Sequence, residues 1–134
     1  MSLPGSPNSP FDESAHEMPP GERIRREVGS WPGVEVAPHR FGGVEFRLGR
    51  RELGHTHGDS LADLPFPVRV RQELVREGRA QPHHVLPESG WVSYRIRGEA
   101  DVPGAIALFR LSYERATAAR TGAAKPAASS PDPE

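Results

Sequence analysis

The chain contains no cysteine. Disulfides, thiolate metal sites and cysteine nucleophiles are thereby excluded. Lysine is almost absent as well: Lys125 is the one lysine among 17 basic residues. No apolar run approaches the ~20 residues of a membrane span. The first residues lack the basic start and apolar stretch of a signal peptide, so a cytoplasmic protein is the expectation. There is no Gly-x-Gly-x-x-Gly, no Gly-Lys-Ser/Thr and no Gly-x-Ser-x-Gly. A phosphate-cradling loop and a hydrolase elbow are therefore unsupported. Strong charge of either sign is missing too. The net charge is −1, and residues 21–117 hold 15 Arg against 13 Asp and Glu, a balance of +2. That is too little for the electrostatic footprint of a nucleic-acid binder. Neither nucleic acid nor membrane is expected as a partner.

Glycine and proline are plentiful, at 14 and 15 of 134 residues, but unevenly placed. Residues 1–20 hold five prolines, and residues 118–134 have no large apolar side chain. Such segments bury too little surface to offset their ordering entropy, so both read as disordered tails. Residues 21–117 remain as one small domain. Within it, Ile24, Val28 and Trp31 mark one face of a short helix over 21–31. Alternation predicts a hairpin with strands near 34–39 and 43–48, then a third strand from Arg51 to His57. Leu61 to Pro67 reads as a loop. Pro67 opens a second helix and Gly78 caps it. Residues 80–86 are extended, and Trp91 to Ile96 is a strand. A last helix begins near Asp101, with Ile106, Phe109 and Tyr113 on its apolar face. The expected class is α+β: a single small domain in the order α-β-β-β-α-β-β-α, with a mainly antiparallel sheet packed by helices on one face.

The histidines carry the chemistry. Four of six lie in two short segments, Gly54-His55-Thr56-His57 and Pro82-His83-His84-Val85-Leu86-Pro87. On a strand, residues i and i+2 share a face, so His55 and His57 project together. If 80–86 is extended, His83 and His84 point oppositely and only one of them joins the pair. Asp59 or Asp63 would be the carboxylate partner. Three readings stay open. His55, His57 and His84 can ligate a divalent metal. The same cluster without metal can hold a base near neutrality. Or the rings simply hydrogen-bond surrounding loops. Trp91 is either a stacking platform or a core residue, and Arg79 either an anion contact or part of a solvated helix face. His39 and Arg40, before the second strand, could join the site, with turn residues the better reading.

The segments Gly54-His55-Thr56-His57, Leu64-Pro65-Phe66-Pro67, Glu77 to Pro87, Ser89 to Ser93 and Leu111-Ser112-Tyr113 together resemble the luciferase-domain family, named for the fungal luciferase. The resemblance covers about residues 20–117. It implies an oxygenase-like activity: the fungal members oxygenate an activated hydroxypyrone with molecular oxygen and no known organic cofactor. It also carries over His55, His57, His83, His84 and Trp91 as pocket candidates. The expected function is therefore binding of a small planar ligand in a histidine-lined pocket. The alternative is a non-catalytic binding or interaction module whose histidines are structural.

Overall fold

The computed structural model describes residues 18–122. Of the tails expected at 1–20 and 118–134, residues 1–17 and 123–134 lie outside the described residues. In chain order the elements are α1 (Pro20–Gly29), β1 (Val34–His39), β2 (Gly43–Leu48), β3 (Arg51–His57), β4 (Leu61–Pro65), α2 (Val68–Arg76), β5 (Gln81–Pro82), β6 (Trp91–Arg95) and α3 (Val102–Gly122). Short 3-10 turns occupy Arg40–Gly42 and Glu99–Asp101. The six strands form one antiparallel sheet in the order β1-β2-β3-β4-β6-β5.

The α+β class and the antiparallel sheet agree with the sequence reading. Two boundaries need correction. Leu61–Pro65 is not a loop but the central strand β4, between β3 and β6. Its two prolines misled: Pro65 closes the strand and Pro67 is the N-cap of α2, so neither interrupts a ladder. The second correction is the end of the domain, placed at 117. Helix α3 runs on to Gly122, because Ala-rich sequence continues a helix without needing a large apolar face.

Pleating divides the sheet into two faces. One carries Phe46, Ala62, Leu64 and Val92, all fully buried. Helices α1 and α3 pack there with Ile24, Val28, Leu108 and Phe109 in one continuous core. The Phe46 and Phe109 rings meet edge to face at 5.1 Å. Burying a side chain such as Phe109 contributes roughly 2–3 kcal/mol. Trp31, just beyond α1, stacks on Tyr113 of α3 at 5.3 Å, and the Tyr113 hydroxyl donates to the Pro32 carbonyl at 2.7 Å. Helix α2 ends as the sequence predicts. Gly78 takes a left-handed φ of 76°, and the N–H groups of Gly78 and Arg79 close onto the carbonyls of Val75 and Leu74. No helix of the described residues is long and apolar enough to cross a membrane.

The motif glycine, Gly54, has a specific job. The ladder between β2 and β3 shifts register at Phe46/Arg47, so β3 carries one extra residue there. Gly54 sits at this bulge with φ 150°. A Cβ added to it would lie 2.8 Å from the Phe109 ring and 2.9 Å from the Asp63 carbonyl oxygen. The bulge also resets the side-chain alternation of β3, which decides what stands beside His55.

Candidate functional site

The sheet face opposite α1 and α3 is built from one cross-strand row. Register places Glu45 of β2, His55 of β3, Asp63 of β4, Ser93 of β6 and Gln81 of β5 side by side. His57 and Trp91 flank that row on the same face, each two residues along its strand. After β5, the chain from His83 to Gly90 bends over this face rather than continuing the sheet.

Asp63 is the centre. It is 1% exposed. Its Oδ1 accepts the Ser93 hydroxyl at 2.7 Å. Its Oδ2 faces four imidazoles: Nε2 of His57 at 3.1 Å, His84 at 3.4 Å, His55 at 3.5 Å and His83 at 3.6 Å. The donor atoms of His55, His57 and Asp63, and again those of Asp63, His83 and His84, lie within 4.8 Å of one another. All four histidines singled out by the sequence are thus brought together.

That result overturns the expectation that only one of His83 and His84 could join. The extended segment stops at Pro82. Beyond it, Nδ1 of His83 accepts the backbone N–H groups of Val85 and Leu86, each at 3.0 Å. The side chain itself turns the chain, and the strand alternation no longer applies. The two rings stack nearly parallel at 4.4 Å instead of pointing apart.

Asp63, not Asp59, is the carboxylate partner. Asp59 accepts the N–H of Gly21 at 2.8 Å and so satisfies a free donor at the start of α1. Arg79 also lies away from the cluster. It pairs with Glu77 at 3.8 Å and lines a cavity of about 170 Å³ with Gln81, Tyr94, Arg95 and Arg97. Trp91 is at the site, half-buried, with its ring 5.5 Å from His55 and 6.0 Å from His83.

Glu52 and Ser93 escaped the sequence reading, and His39 was weighed for the site but read as a turn residue. Glu52 Oε2 lies 2.6 Å from Nδ1 of His55. Three residues apart, they belong on opposite faces of a regular strand; the bulge puts them on one. His39 stacks on His55 at 4.0 Å, with its own Nδ1 against Glu45 at 2.9 Å. It comes from the end of β1 and not from a free turn. Ser93 had a usable signal, being two residues after Trp91 on one strand.

The electrostatics follow from this geometry. Burial opposes ionisation of Asp63, but hydrogen bonds from His55 and Ser93 and the nearby imidazoles hold its carboxyl well below the usual carboxylate range. Burial also opposes charging of His55. Asp63 and Glu52, one at each ring nitrogen, outweigh it and raise the pKa to about 9. His55 is therefore a cation at neutral pH and not the free base that the metal-free reading expected of this cluster. His83 moves the other way: burial, then the neighbouring rings of His84, His55 and His57, lower its pKa against the pull of Asp63. Glu45 is held low by hydrogen bonds from His39 and Arg47.

Against known proteins, residues 50–112 match the family model described as Luciferase domain. The matched stretch runs from β3 to α3 and contains every group around Asp63. Neither the curated proteins nor the solved structures include a match to the chain.

Proposed function

With residues 50–112 assigned to the luciferase-domain family, we propose that this domain binds a small, planar, oxygenated and acidic molecule on the Asp63 face. The observation that carries this reading is the convergence of four imidazoles on one buried carboxylate oxygen, on the sheet face away from α1 and α3. Such a grouping is costly to maintain unless something uses it, because a carboxylate and several polar rings are withdrawn from water together. His84 and His57 lie toward solvent, at 41% and 33% side-chain exposure, and form the accessible side. Trp91 offers a flat ring beside His55 and His83.

The division of labour follows from the ring nitrogens. His55, charged and clamped between Glu52 and Asp63, stabilises an ionised enol or phenol. His83 has its Nδ1 engaged by backbone and presents an N–H from Nε2. His84, more exposed than His57, is left to take the ligand's proton. The family resemblance adds that an electron-rich anion of this kind reacts with molecular oxygen, which makes the chemistry oxygenase-like. A cytoplasmic location, with no nucleic-acid or membrane partner, belongs to the same proposal.

The test uses tryptophan fluorescence, since Trp91 reports the site. A 4-hydroxy-2-pyrone or a catechol should quench the emission saturably, and Trp91→Phe should remove the response. His55→Ala and His57→Ala should abolish binding with the circular dichroism spectrum unchanged. Undiminished quenching in both variants would refute the site.

A second reading has its own observation. Val85 and Leu86 are 65% and 51% exposed on the loop that carries His83 and His84. An interaction module would use this apolar pair as its contact. A stoichiometric protein partner lost on Leu86→Asp, with pyrone binding absent, would favour that reading.

A further inference from the structure

We infer that His55, His57 and Asp63 together hold one divalent transition-metal ion, and that His83 is not a ligand but a hydrogen-bond donor beside it. The inference rests on the reading of this face as a binding site.

The first argument is acceptor capacity. Oδ1 of Asp63 is taken by the Ser93 hydroxyl. That leaves Oδ2 against four Nε2 atoms at 3.1–3.6 Å. A carboxylate oxygen offers two lone-pair directions, so two N–H groups exhaust it. Four rings cannot all be serviced by that one atom. A cation among them reverses the demand, because imidazoles then present lone pairs instead of protons.

The second argument is spacing. Metal bonds of about 2.0–2.2 Å to nitrogen and oxygen in a tetrahedral site place neighbouring donors about 3.3 Å apart. From Asp63 Oδ2, the Nε2 atoms of His57 and His55 stand at 3.1 and 3.5 Å, and the donors of these three residues all lie within 4.8 Å of one another; His84 groups with Asp63 and His83 but not with the β3 pair, so it stays outside the ligand set. These separations match ligand–ligand edges around one ion. The donor set of imidazoles and one carboxylate suits zinc, iron, copper or nickel.

The third argument assigns roles from the far ring nitrogens. A ligating histidine commonly donates its other N–H to a carboxylate, which fixes the tautomer. His55 does this toward Glu52 at 2.6 Å, and the metal would take the place of the proton that its Nε2 carries in the metal-free protein. His83 is the reverse. Its Nδ1 accepts two backbone N–H groups, so its Nε2 must carry the proton and has no lone pair to give. Its 3.6 Å approach to Asp63 Oδ2 does not make His83 a ligand; its tautomer excludes it. Its N–H then points at the centre, placed to bond an oxygen of whatever occupies the open, solvent-facing position.

The experiment uses the full chain, free of any tag, stripped with chelator and titrated with Zn²⁺ and Co²⁺ by calorimetry and visible absorption. One ion per chain is expected, with Co²⁺ d–d bands typical of nitrogen and oxygen ligands. His57→Ala should weaken binding at least ~100-fold, whereas Glu52→Gln should weaken it about 10- to 100-fold as an orienting residue. His83→Gln, which keeps an N–H donor, should change affinity less than ~10-fold. Circular dichroism checks that each variant is folded. Two results would overturn the inference: no stoichiometric ion in the unmodified chain, or a loss in His83→Gln as large as in His57→Ala. Pyrone quenching measured on the stripped protein separates the two proposals. Quenching without metal binding sinks the metal site alone; absence of both sinks the binding site as well.

Discussion

Replacing Asp63 with Asn keeps the size and the Ser93 partner but removes the one anion that four imidazoles share. Breaking a buried charge pair from one side costs about 3–5 kcal/mol. The expected loss for Asp63→Asn is about 3 kcal/mol, read as a lowered denaturant midpoint at pH 6 in chelator-treated protein. The same groups set a pH dependence whose sign is fixed by their shifts. The folded carboxyl of Asp63 is depressed, so its contribution is present above the unfolded value near 3.8 and lost on acidification below it. The folded pKa of His55 is raised to about 9, so its contribution is complete below about 6.5 and fades as pH rises through about 9. His83, with its folded pKa lowered, takes stability away as pH falls below about 6.5, so stability of the metal-free protein should peak near pH 6.5 and fall on both sides. His55→Ala should flatten the alkaline limb and leave the acid limb in place; an alkaline limb unchanged by this variant would show that His55 does not carry it.

At the scale of elements, β3 and α3 depend on each other at a single point. Gly54 lets the Phe109 ring reach the backbone of the bulge, and Phe109 is fully buried. Gly54→Ala adds a methyl where the ring and the Asp63 carbonyl already stand, on a φ that side chains rarely adopt. Overpacking of this kind costs about 1–3 kcal/mol. A further consequence separates it from ordinary core damage. The bulge aligns Glu52 with His55, so Gly54→Ala should also weaken binding of the hydroxypyrone probe. Phe109→Asp buries an unpaired charge and should unfold the domain outright, visible as loss of the near-ultraviolet dichroism. Retention of native dichroism by Phe109→Asp would mean that α3 is not part of the core.

At the scale of the whole molecule, legibility followed from periodicity. Strands β1, β2 and β3 were readable to the residue, the first two from their alternation, and so was the paired projection of His55 and His57. Strand β4 was not, because Leu61–Pro65 is five residues long and ends in proline. With it went the register that sets Asp63 opposite His55, although Asp63 itself was a candidate. The convergence of His83 and His84 was hidden for a different reason: a side-chain bond to backbone made the turn, and no pattern of apolar residues encodes that. Glu52 was masked by the bulge. What the sequence conceals is thus the departures from regular structure, and these departures assemble the site. The site in turn ties together β3, β4 and the loop after β5, elements separated by up to about thirty residues. Anything bound there must hold the fold closed. At free metal one hundred times its dissociation constant, binding to the native state alone adds about 2.7 kcal/mol. For a domain of about 100 residues each kcal/mol raises the melting temperature by roughly 4–8 °C. Zn²⁺ added to the stripped chain should therefore raise its melting temperature by at least about 10 °C. His57→Ala should melt near the stripped protein and gain almost nothing from Zn²⁺, because β3 loses one of its two ligands. An equal rise in His57→Ala would place the bound ion elsewhere on the chain.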